Sequence, residues 1–305
     1  VRGEGGAPAL SSAPQKTMGD DELDEASKLK IATNFINHSP PGQIQKVVED
    51  VKTLLGGHVP RSTLDSLMVK VNSTSFVAVD VPGEGRKVLI TPFGDLGDGT
   101  FLDPVGLQRL TIDHGKQVCT SAEALSGAEA ASLDAPEKGQ VDAAMSRYAA
   151  NKLPDSVVTT YCKIVGPATV ITCCIGRCDL NLSNYWAGLW RSHWVLEFTT
   201  GSTSGTLKGT VHSNVHYFED GNVQLDDSTE FVTSLSWSDG GVGEAVARKV
   251  EEYEMEFNKG MEETYATMSE TVLQGLRRRL PVTRVKFDWE NKASVHKLAS
   301  ELQKK

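Results

Sequence analysis

The sequence predicts an α+β fold: an N-terminal antiparallel helical bundle, an antiparallel β-meander shared with a partner subunit, a long helix across the sheet and a basic C-terminal tail. Three patterns predict it. Helical spacing dominates residues 18–72, and short β-type runs dominate residues 73–242. One apolar stripe at helical spacing then marks residues 243–280 as a single helix, and residues 281–305 form the tail.

The N-terminal part predicts a bundle of two or three helices. Residues 21–37 carry apolar side chains near a 3.6-residue spacing, with acidic residues in the first turn. After a Ser-Pro-Pro-Gly break, residues 44–55 form one apolar stripe that ends at two glycines. Residues 1–17 are rich in Gly, Pro and small side chains, so we expect a disordered or non-native extension with translation beginning at Met18.

From about residue 73 the spacing becomes that of strands. The runs FVAVDV, KVLITPF and VGLQRLTI are separated by clusters of Gly, Pro and Asp. Residues 121–138 then predict an exposed insertion, and residues 141–151 a short helix. Two further runs joined by Gly166-Pro167 predict a hairpin. Because the later strands follow one another without helices, an antiparallel meander is favoured over βαβ units.

The clearest strand covers residues 206–218. Alternation predicts that four of its side chains point one way, namely Leu207, Val211, Val215 and Tyr217. The opposite face is predicted to carry Lys208, Thr210, His212, Asn214 and His216. The two histidines would lie about 13 Å apart along the strand, which is too far for one metal ion.

The long helix is predicted from nine apolar residues spaced three or four apart. They are Val246, Val250, Tyr253, Phe257, Met261, Tyr265, Met268, Val272 and Leu276. The stripe covers about 31 residues, or about 46 Å of helix, and would overrun a sheet of five or six strands. A partner chain could extend the sheet, so the helix length predicts a dimer. We predict a subunit interface at Val215, Tyr217, Tyr253, Phe257, Met261 and Tyr265.

Composition and motifs argue against several classes of function. Nucleotide-binding glycine loops, GxSxG and HExxH are absent from the sequence, so we do not predict an enzyme. The five cysteines form no CxxC pair, and Cys173, Cys174 and Cys178 lack a second ligand pair at zinc spacing. Residues 94–99 predict a turn and lack the spacing of a calcium loop. We therefore predict no metal, no cofactor, and a cytoplasmic protein without a signal-peptide core or membrane span.

The tail carries a net positive charge, whereas the rest of the chain is acidic. The whole sequence has a net charge of −9, whereas residues 277–305 hold nine Lys/Arg against three Asp/Glu. Such asymmetry is typical of a surface that contacts an acidic partner. No nucleic-acid fold is recognisable and the acidic body would repel phosphate, so nucleic acid is not predicted. A dimeric scaffold whose polybasic tail binds anionic membranes or other acidic partners remains an alternative.

Several stretches closely resemble the F-actin capping protein α subunit. They are Asn184-Tyr185-Trp186, Trp190-Arg191-Ser192-His193-Trp194, the run VHYFEDGNVQL from Val215, Gly94-Asp95-Leu96-Gly97, Phe101-Leu102-Asp103-Pro104, and Arg278 through Trp289. The resemblance runs colinearly from about Met18 to Lys305. It implies a heterodimer with a β subunit, in which both subunits contribute strands to one sheet and a long helix lies across it.

The resemblance also implies a function. Members of this family cap the barbed ends of actin filaments independently of calcium, block subunit exchange there, and serve at the end of the dynactin actin-related filament. Regulation by anionic phosphoinositides and a location in the actin cytoskeleton are further expectations of the resemblance.

In the family the basic C-terminal segment of α is the principal actin contact. Arg278 and Arg284 match basic residues implicated in actin binding, and Trp289 matches an aromatic. Gln274 stands where the family has a lysine, and Arg279 where it has a glutamine. We therefore predict actin-binding residues in the tail, namely Arg277, Arg278, Arg279, Leu280, Arg284, Lys286, Phe287 and Trp289.

Overall fold

The structure is a computed structural model that describes residues 24–55, 61–219, 223–238 and 241–270. The chain divides into two compact units. The first unit combines the chain up to residue 125 with residues 176–189 and 214–226. The second unit combines residues 126–175 and 190–213 with the chain from residue 227 onward.

Six α-helices occur in the described residues. They are α1 (Glu25–Asn37), α2 (Ile44–Leu55), α3 (Arg61–Thr74), α4 (Gly127–Ala131), α5 (Pro136–Lys152) and α6 (Val242–Glu270). α1 begins where the Asp24 carboxylate accepts a hydrogen bond from the Ser27 backbone N–H at 2.9 Å. α5 begins with a proline at its first position and Glu137 in its first turn, both of which favour a helix start.

Ten strands form three sheets in the same part of the chain. The strands are β1 (Val77–Asp80), β2 (Lys87–Ile90), β3 (Thr100–Asp103), β4 (Gln108–Asp113), β5 (Val118–Ala124), β6 (Val157–Val165), β7 (Ala168–Asn181), β8 (Trp186–Thr199), β9 (Ser204–Tyr217) and β10 (Val223–Ser236). β1 pairs with β2, and β3, β4 and β5 form a second antiparallel sheet. The third sheet has the order β10-β9-β8-β7-β6, and short connections between neighbouring strands make it an antiparallel meander.

The first unit has one core in its helices and another in its small sheets. α1, α2 and α3 bury an apolar cluster that includes Ile36, Val48 and Met68. The Asn72 side chain, 1% exposed, ties α3 to the β4–β5 turn. Its amide donates to the His114 carbonyl at 2.9 Å and accepts from Gln117 Nε2 at 3.0 Å. These hydrogen bonds fix the turn against the helical bundle.

The two small sheets of the first unit are joined by a buried ion pair. Arg86 lies just before β2, and its guanidinium donates two hydrogen bonds to the Asp103 carboxylate at 2.8 and 2.5 Å. Asp103 is fully buried and also accepts from the backbone N–H groups of Val105 and Gly106 at 3.2 and 3.1 Å. The Asp103 carboxylate therefore binds both the Arg86 guanidinium and the backbone of the β3–β4 turn.

The second unit packs α5 and α6 against the long strands. Its core combines Met145 of α5 and Val250 of α6 with Trp194, Leu207 and Val211 from the sheet, all at most 1% exposed. The backbone of β9 passes so close to the Trp194 ring that a Cβ at Gly209 would collide with it. Only glycine fits at this contact, which lets the indole lie flat under the strand.

The predicted α+β fold, with antiparallel sheets and a long helix after them, is confirmed, but the bounds predicted for the exposed insertion are wrong. Residues 127–131 are largely exposed as predicted, but the exposed insertion is shorter than 121–138. The first residues of that range complete β5, and α5 starts at Pro136 with Lys138 only 8% exposed. The first five residues of α5, Pro-Glu-Lys-Gly-Gln, contain no large apolar side chain that could reveal the helical period.

The burial pattern of β9 changes at its end. Leu207 and Val211, which share the predicted face, are buried, but of the last residues His216 is buried and Tyr217 is 42% exposed. The His216 ring stacks on Phe218 at 5.0 Å between centroids. The buried face of the strand therefore changes before His216, and alternation from the strand centre does not carry to its end.

Candidate protein-interaction surfaces

The predicted contact residues of the tail lie outside the described residues. These are Arg277, Arg278, Arg279, Leu280, Arg284, Lys286, Phe287 and Trp289, and Gln274 lies there as well. The predicted long helix is described as far as Glu270, and none of the described helices is long and apolar enough to cross a membrane.

The predicted interface residues on α6 contact the chain's own sheet. Tyr253 stacks on Phe231 with ring centroids 4.6 Å apart, and Phe257 is 4% exposed against Trp190. Met261 is partly buried against the same core, whereas the side chain of Tyr265 lies outside the description. Much of the stripe that predicted a partner is thus already covered within one chain.

The other two predicted interface residues lie at the end of β9. Val215 is half-buried and Tyr217 is exposed, and the Tyr217 hydroxyl donates to the Glu219 carboxylate. Nearby in the first unit, Tyr185 has a left-handed backbone with φ of 55°, and its carbonyl accepts from the Phe218 N–H at 2.9 Å. Tyr185 and Phe218, one from each of two family-like stretches, therefore contact each other at the end of β9.

An apolar groove lies on the helical bundle of the first unit. Its volume is about 240 Å³, and its lining includes Ile31 and Phe35 of α1 and Leu54 of α2. These three side chains are 44%, 54% and 78% exposed, which is unusual for neighbouring large apolar residues on one surface. The groove is a candidate surface for contact with another chain. The apolar stripes read from the sequence of α1 and α2 did not distinguish these three residues from those of the bundle core.

The histidine and cysteine candidates do not form a metal centre in the described residues. The search there finds no group of three or more His, Cys, Asp or Glu that could hold an ion. His212 instead accepts a hydrogen bond from Arg191 Nε at 2.7 Å. Burial raises the pKa of the Cys173 thiol to about 12 and that of Cys162 to about 11, so both are held as neutral thiols.

The predicted turn at residues 94–99 is present, and its carboxylates bind the chain itself. Asp95 accepts from the Gly97 N–H at 2.8 Å, and Asp98 accepts from the Thr100 N–H at 3.0 Å and from Arg109. Gly97 and Gly99 have φ values of 82° and 84°, which only glycine adopts readily. The segment therefore acts as a connection between strands.

The prediction missed a buried carboxyl in the second unit. Glu254 of α6 is 2% exposed. Its Oε1 accepts from Ser192 Oγ at 2.7 Å and from Trp194 Nε1 at 3.3 Å, and its Oε2 accepts from the Tyr148 hydroxyl at 2.7 Å. Glu254 follows Val250 and precedes Phe257 at helical spacing, so a glutamate within an apolar stripe was the available signal.

Burial raises the pKa of the Glu254 carboxyl, while the hydrogen bonds from Ser192, Tyr148 and Trp194 oppose that shift. A carboxyl whose pKa is higher in the folded state stabilises the fold fully below its unfolded pKa. That contribution is lost as the pH rises through the folded pKa. Glu254 therefore makes the second unit less stable toward neutral pH than at mildly acidic pH.

We expect Glu254→Gln to remove this pH dependence. The glutamine oxygen can accept from Ser192 and Trp194, and the Tyr148 hydroxyl can accept from its amide. The free energy of unfolding is measured for both proteins by urea titration between pH 4.5 and pH 7.5. The value of the variant relative to that of the parent protein should increase as the pH rises. The control is Glu262→Gln, an exposed glutamate on the same helix. A gain that is equal at every pH would contradict the assignment.

Comparison with known proteins gives consistent matches. Residues 32–301 match the family model described as F-actin capping protein alpha subunit. The chain is 33% identical over 278 residues to a Dictyostelium discoideum F-actin-capping protein subunit alpha, covering 90% of this chain and 98% of the relative. It is 32% identical over 292 residues to the Caenorhabditis elegans protein of the same name, covering 92% and 99%.

A solved structure shares the fold. The homodimeric actin capping protein alpha subunit from Plasmodium berghei superposes with a TM-score of 0.66, covering 78% of this chain and 92% of that one. The two sequences are only 16% identical, so this likeness bears on the fold.

Proposed function

Because this chain belongs to the F-actin capping protein alpha subunit family, we propose that it caps the barbed ends of actin filaments as one subunit of a dimer. Capping would block both addition and loss of actin subunits, and it would not require calcium. The observation that carries the proposal is the family match over residues 32–301, which includes the basic segment after α6.

The proposed actin contact is the segment 277–289. It holds Arg278, Arg279 and Arg284 for electrostatic docking, with Phe287 and Trp289 as its apolar part. Actin is acidic, and complementary charge speeds the encounter of two proteins. Slow release requires apolar contacts as well, because differences in affinity lie mostly in the dissociation rate. A segment with both kinds of side chain suits a long-lived cap.

The proposed partner is a β subunit. Two surfaces support a second chain: the apolar groove around Ile31, Phe35 and Leu54, and the edge strand β10 with Val232 68% exposed. A strand with an unpaired outer edge is a template for pairing with another chain. The predicted interface at Val215, Tyr217, Tyr253, Phe257, Met261 and Tyr265 remains a proposal, with Tyr217 its most exposed described member.

The family membership also motivates three further proposals. The dimer would serve at the end of the dynactin actin-related filament, would be regulated by anionic phosphoinositides through its basic tail, and would reside in the cytoplasm with the actin cytoskeleton.

We expect the full chain, co-expressed with a β subunit, to stop elongation from actin seeds at sub-stoichiometric concentration. Deleting residues 274–305 should abolish inhibition at barbed ends while the dimer stays assembled. Seeds whose pointed ends are blocked can elongate only at their barbed ends. A buffer that contains no gelsolin and in which calcium is chelated tests capping without calcium. A folded dimer that leaves elongation unchanged, yet sediments with anionic liposomes through its tail, would replace capping by the membrane scaffold.

A further inference from the structure

The five-stranded sheet has two outer strands, β10 and β6, and the described residues treat their edges differently. At β6 the Ile164 N–H donates to the Ser132 carbonyl at 2.9 Å, so the residues after α4 cover part of that edge. β10 pairs within the described residues only on its inner side, with β9. The outer edge of β10 is therefore the edge at which another chain can extend the sheet.

The charge of β10 is entirely negative. Of its fourteen residues three are acidic, Asp226, Asp227 and Glu230, and none is Lys or Arg. All three side chains are exposed. The Asp227 carboxylate accepts from the Ser228 N–H at 2.9 Å, a hydrogen bond that leaves its charge in place. A neighbouring strand would thus meet a net charge of −3 along this edge.

The three carboxylates are divided between the two faces of the sheet. Phe231 stacks on an aromatic side chain of α6, so the odd-numbered residues of β10 face that helix. Asp227 shares this face and lines a groove with residues of α6 that include Glu263. Asp226 and Glu230 lie on the opposite face. A partner strand therefore needs complementary charge on both of its faces.

A second copy of the same chain would meet like charges at this edge. If α6 of both copies lies on one face of a continuous sheet, two antiparallel β10 strands pair about a twofold axis perpendicular to that sheet. Residues equally far from the axis then lie opposite each other. An axis at Ser228 places Asp226 opposite Glu230 of the second copy, and this happens twice. An axis at position 226, 227 or 230 places a carboxylate opposite its own copy.

The other registers of self-pairing offer little relief. An axis at position 229 makes carboxylates of the two copies diagonal neighbours, with Cα atoms about 7–8 Å apart. An axis toward either end of β10 separates the carboxylates, but it shortens the paired segment and so reduces the number of backbone hydrogen bonds. Like charges on neighbouring strands are destabilising. Self-pairing is therefore disfavoured over the central part of the strand.

We propose that Asp226, Asp227 and Glu230 reject a second copy of this chain at β10 and select a different subunit, whose edge strand carries Lys or Arg at the facing positions. The inference rests on the proposed function for the presence of a partner subunit. Natural sheets use charged edge strands to prevent unwanted pairing. Repulsion of the wrong partner contributes to specificity as much as attraction of the right one. The three carboxylates supply both effects.

The test compares the pairing of the full chain with and without these charges. The edge variant carries Asp226→Asn, Asp227→Asn and Glu230→Gln, and the amide oxygen of Asp227→Asn can still accept from the Ser228 N–H. Parent protein and edge variant are each co-expressed with a β subunit, and the purified dimers are counted by native mass spectrometry. We expect the ratio of homodimers to heterodimers to rise about tenfold or more in the edge variant.

Salt gives a second measurement on the heterodimer. Raising the ionic strength from about 0.01 M to about 1 M shortens the Debye length from about 30 Å to about 3 Å and screens attraction between exposed charges. The rate of subunit exchange, followed by energy transfer between labelled subunits, should therefore rise with salt in the parent heterodimer. The edge variant should exchange faster at low salt and depend less on the salt concentration.

A matched control removes three charges from other surfaces. It carries Asp80→Asn, Glu123→Gln and Asp155→Asn, which are exposed positions outside β10 and α6. Its net charge equals that of the edge variant. We expect its dimer ratio and its subunit exchange to match those of the parent protein.

The outcomes separate the choice of partner from capping. Dimer ratios and exchange rates that are the same in the edge variant and the control would overturn the inference, as would parent homodimers as abundant as those of the edge variant. Heterodimers that need the edge charges but leave actin elongation unchanged would keep the inference and reject capping. Heterodimers that cap filaments and pair regardless of the edge charges would keep the proposed function and reject the inference.

Discussion

Replacing Arg278, Arg279 and Arg284 together by alanine is expected to slow capping of actin seeds about tenfold or more. Steering by complementary charge raises association rates by factors of about 10 to 1000, and the effect falls as salt rises. The variant should therefore lose most of the salt dependence of its association rate as well. Pyrene-actin elongation at several salt concentrations, fitted for the capping rate constant, measures both.

The control for this variant lies in the same tail. Lys292→Ala, Lys297→Ala and Lys304→Ala remove three positive charges beyond residue 289. We expect a smaller decrease in rate, because these lysines lie outside the segment proposed to contact actin. Capping kinetics that are unchanged in the arginine variant, or equally reduced in both variants, would exclude a specific role for the three arginines.

Asp103→Ala is expected to cost about 3–5 kcal/mol of unfolding free energy. It removes one partner of a buried ion pair and leaves the Arg86 guanidinium, whose side chain is 25% exposed, without its carboxylate. The backbone N–H groups of Val105 and Gly106 lose their acceptor at the same time. Urea unfolding of the variant, followed by far-UV circular dichroism, measures the loss.

Asp98→Ala provides the comparison. Asp98 also pairs with an arginine, Arg109, but half of the Asp98 side chain is exposed. Exposed ion pairs contribute little because water and salt screen them. We expect a much smaller change than for Asp103→Ala. Similar losses for the two aspartates would mean that burial does not set the strength of the Arg86–Asp103 pair.

The regular elements were the most predictable part of the fold. The apolar stripe of residues 44–55 and the glycines after it gave α2 its observed bounds, Ile44–Leu55. The Gly166-Pro167 pair predicted the connection between β6 and β7, where Gly166 has a φ of 59°. Such signals act over a few residues and do not depend on the remainder of the chain.

Glu254 and His216 are two residues whose burial the local sequence pattern did not predict. Glu254 lies in a segment rich in glutamate, and only its spacing from Val250 and Phe257 distinguishes it in the sequence from Glu252 and Glu256. Its three donors come from α5 and β8, 60 or more residues earlier in the chain. Alternation along β9 placed His216 on the face opposite Leu207 and Val211. Its burial depends on which face of β9 is covered at that end of the strand.

The sequence by itself determined the order of helices and strands, the charge of the tail and the family, because these depend on spacing, composition and motifs along the chain. The tertiary structure alone decided that Asp103 and Glu254 are buried and that Phe257 packs on the chain's own sheet. The physical reason is that burial and charge proximity arise between residues distant in sequence. No periodicity along one segment records which distant segment will cover it.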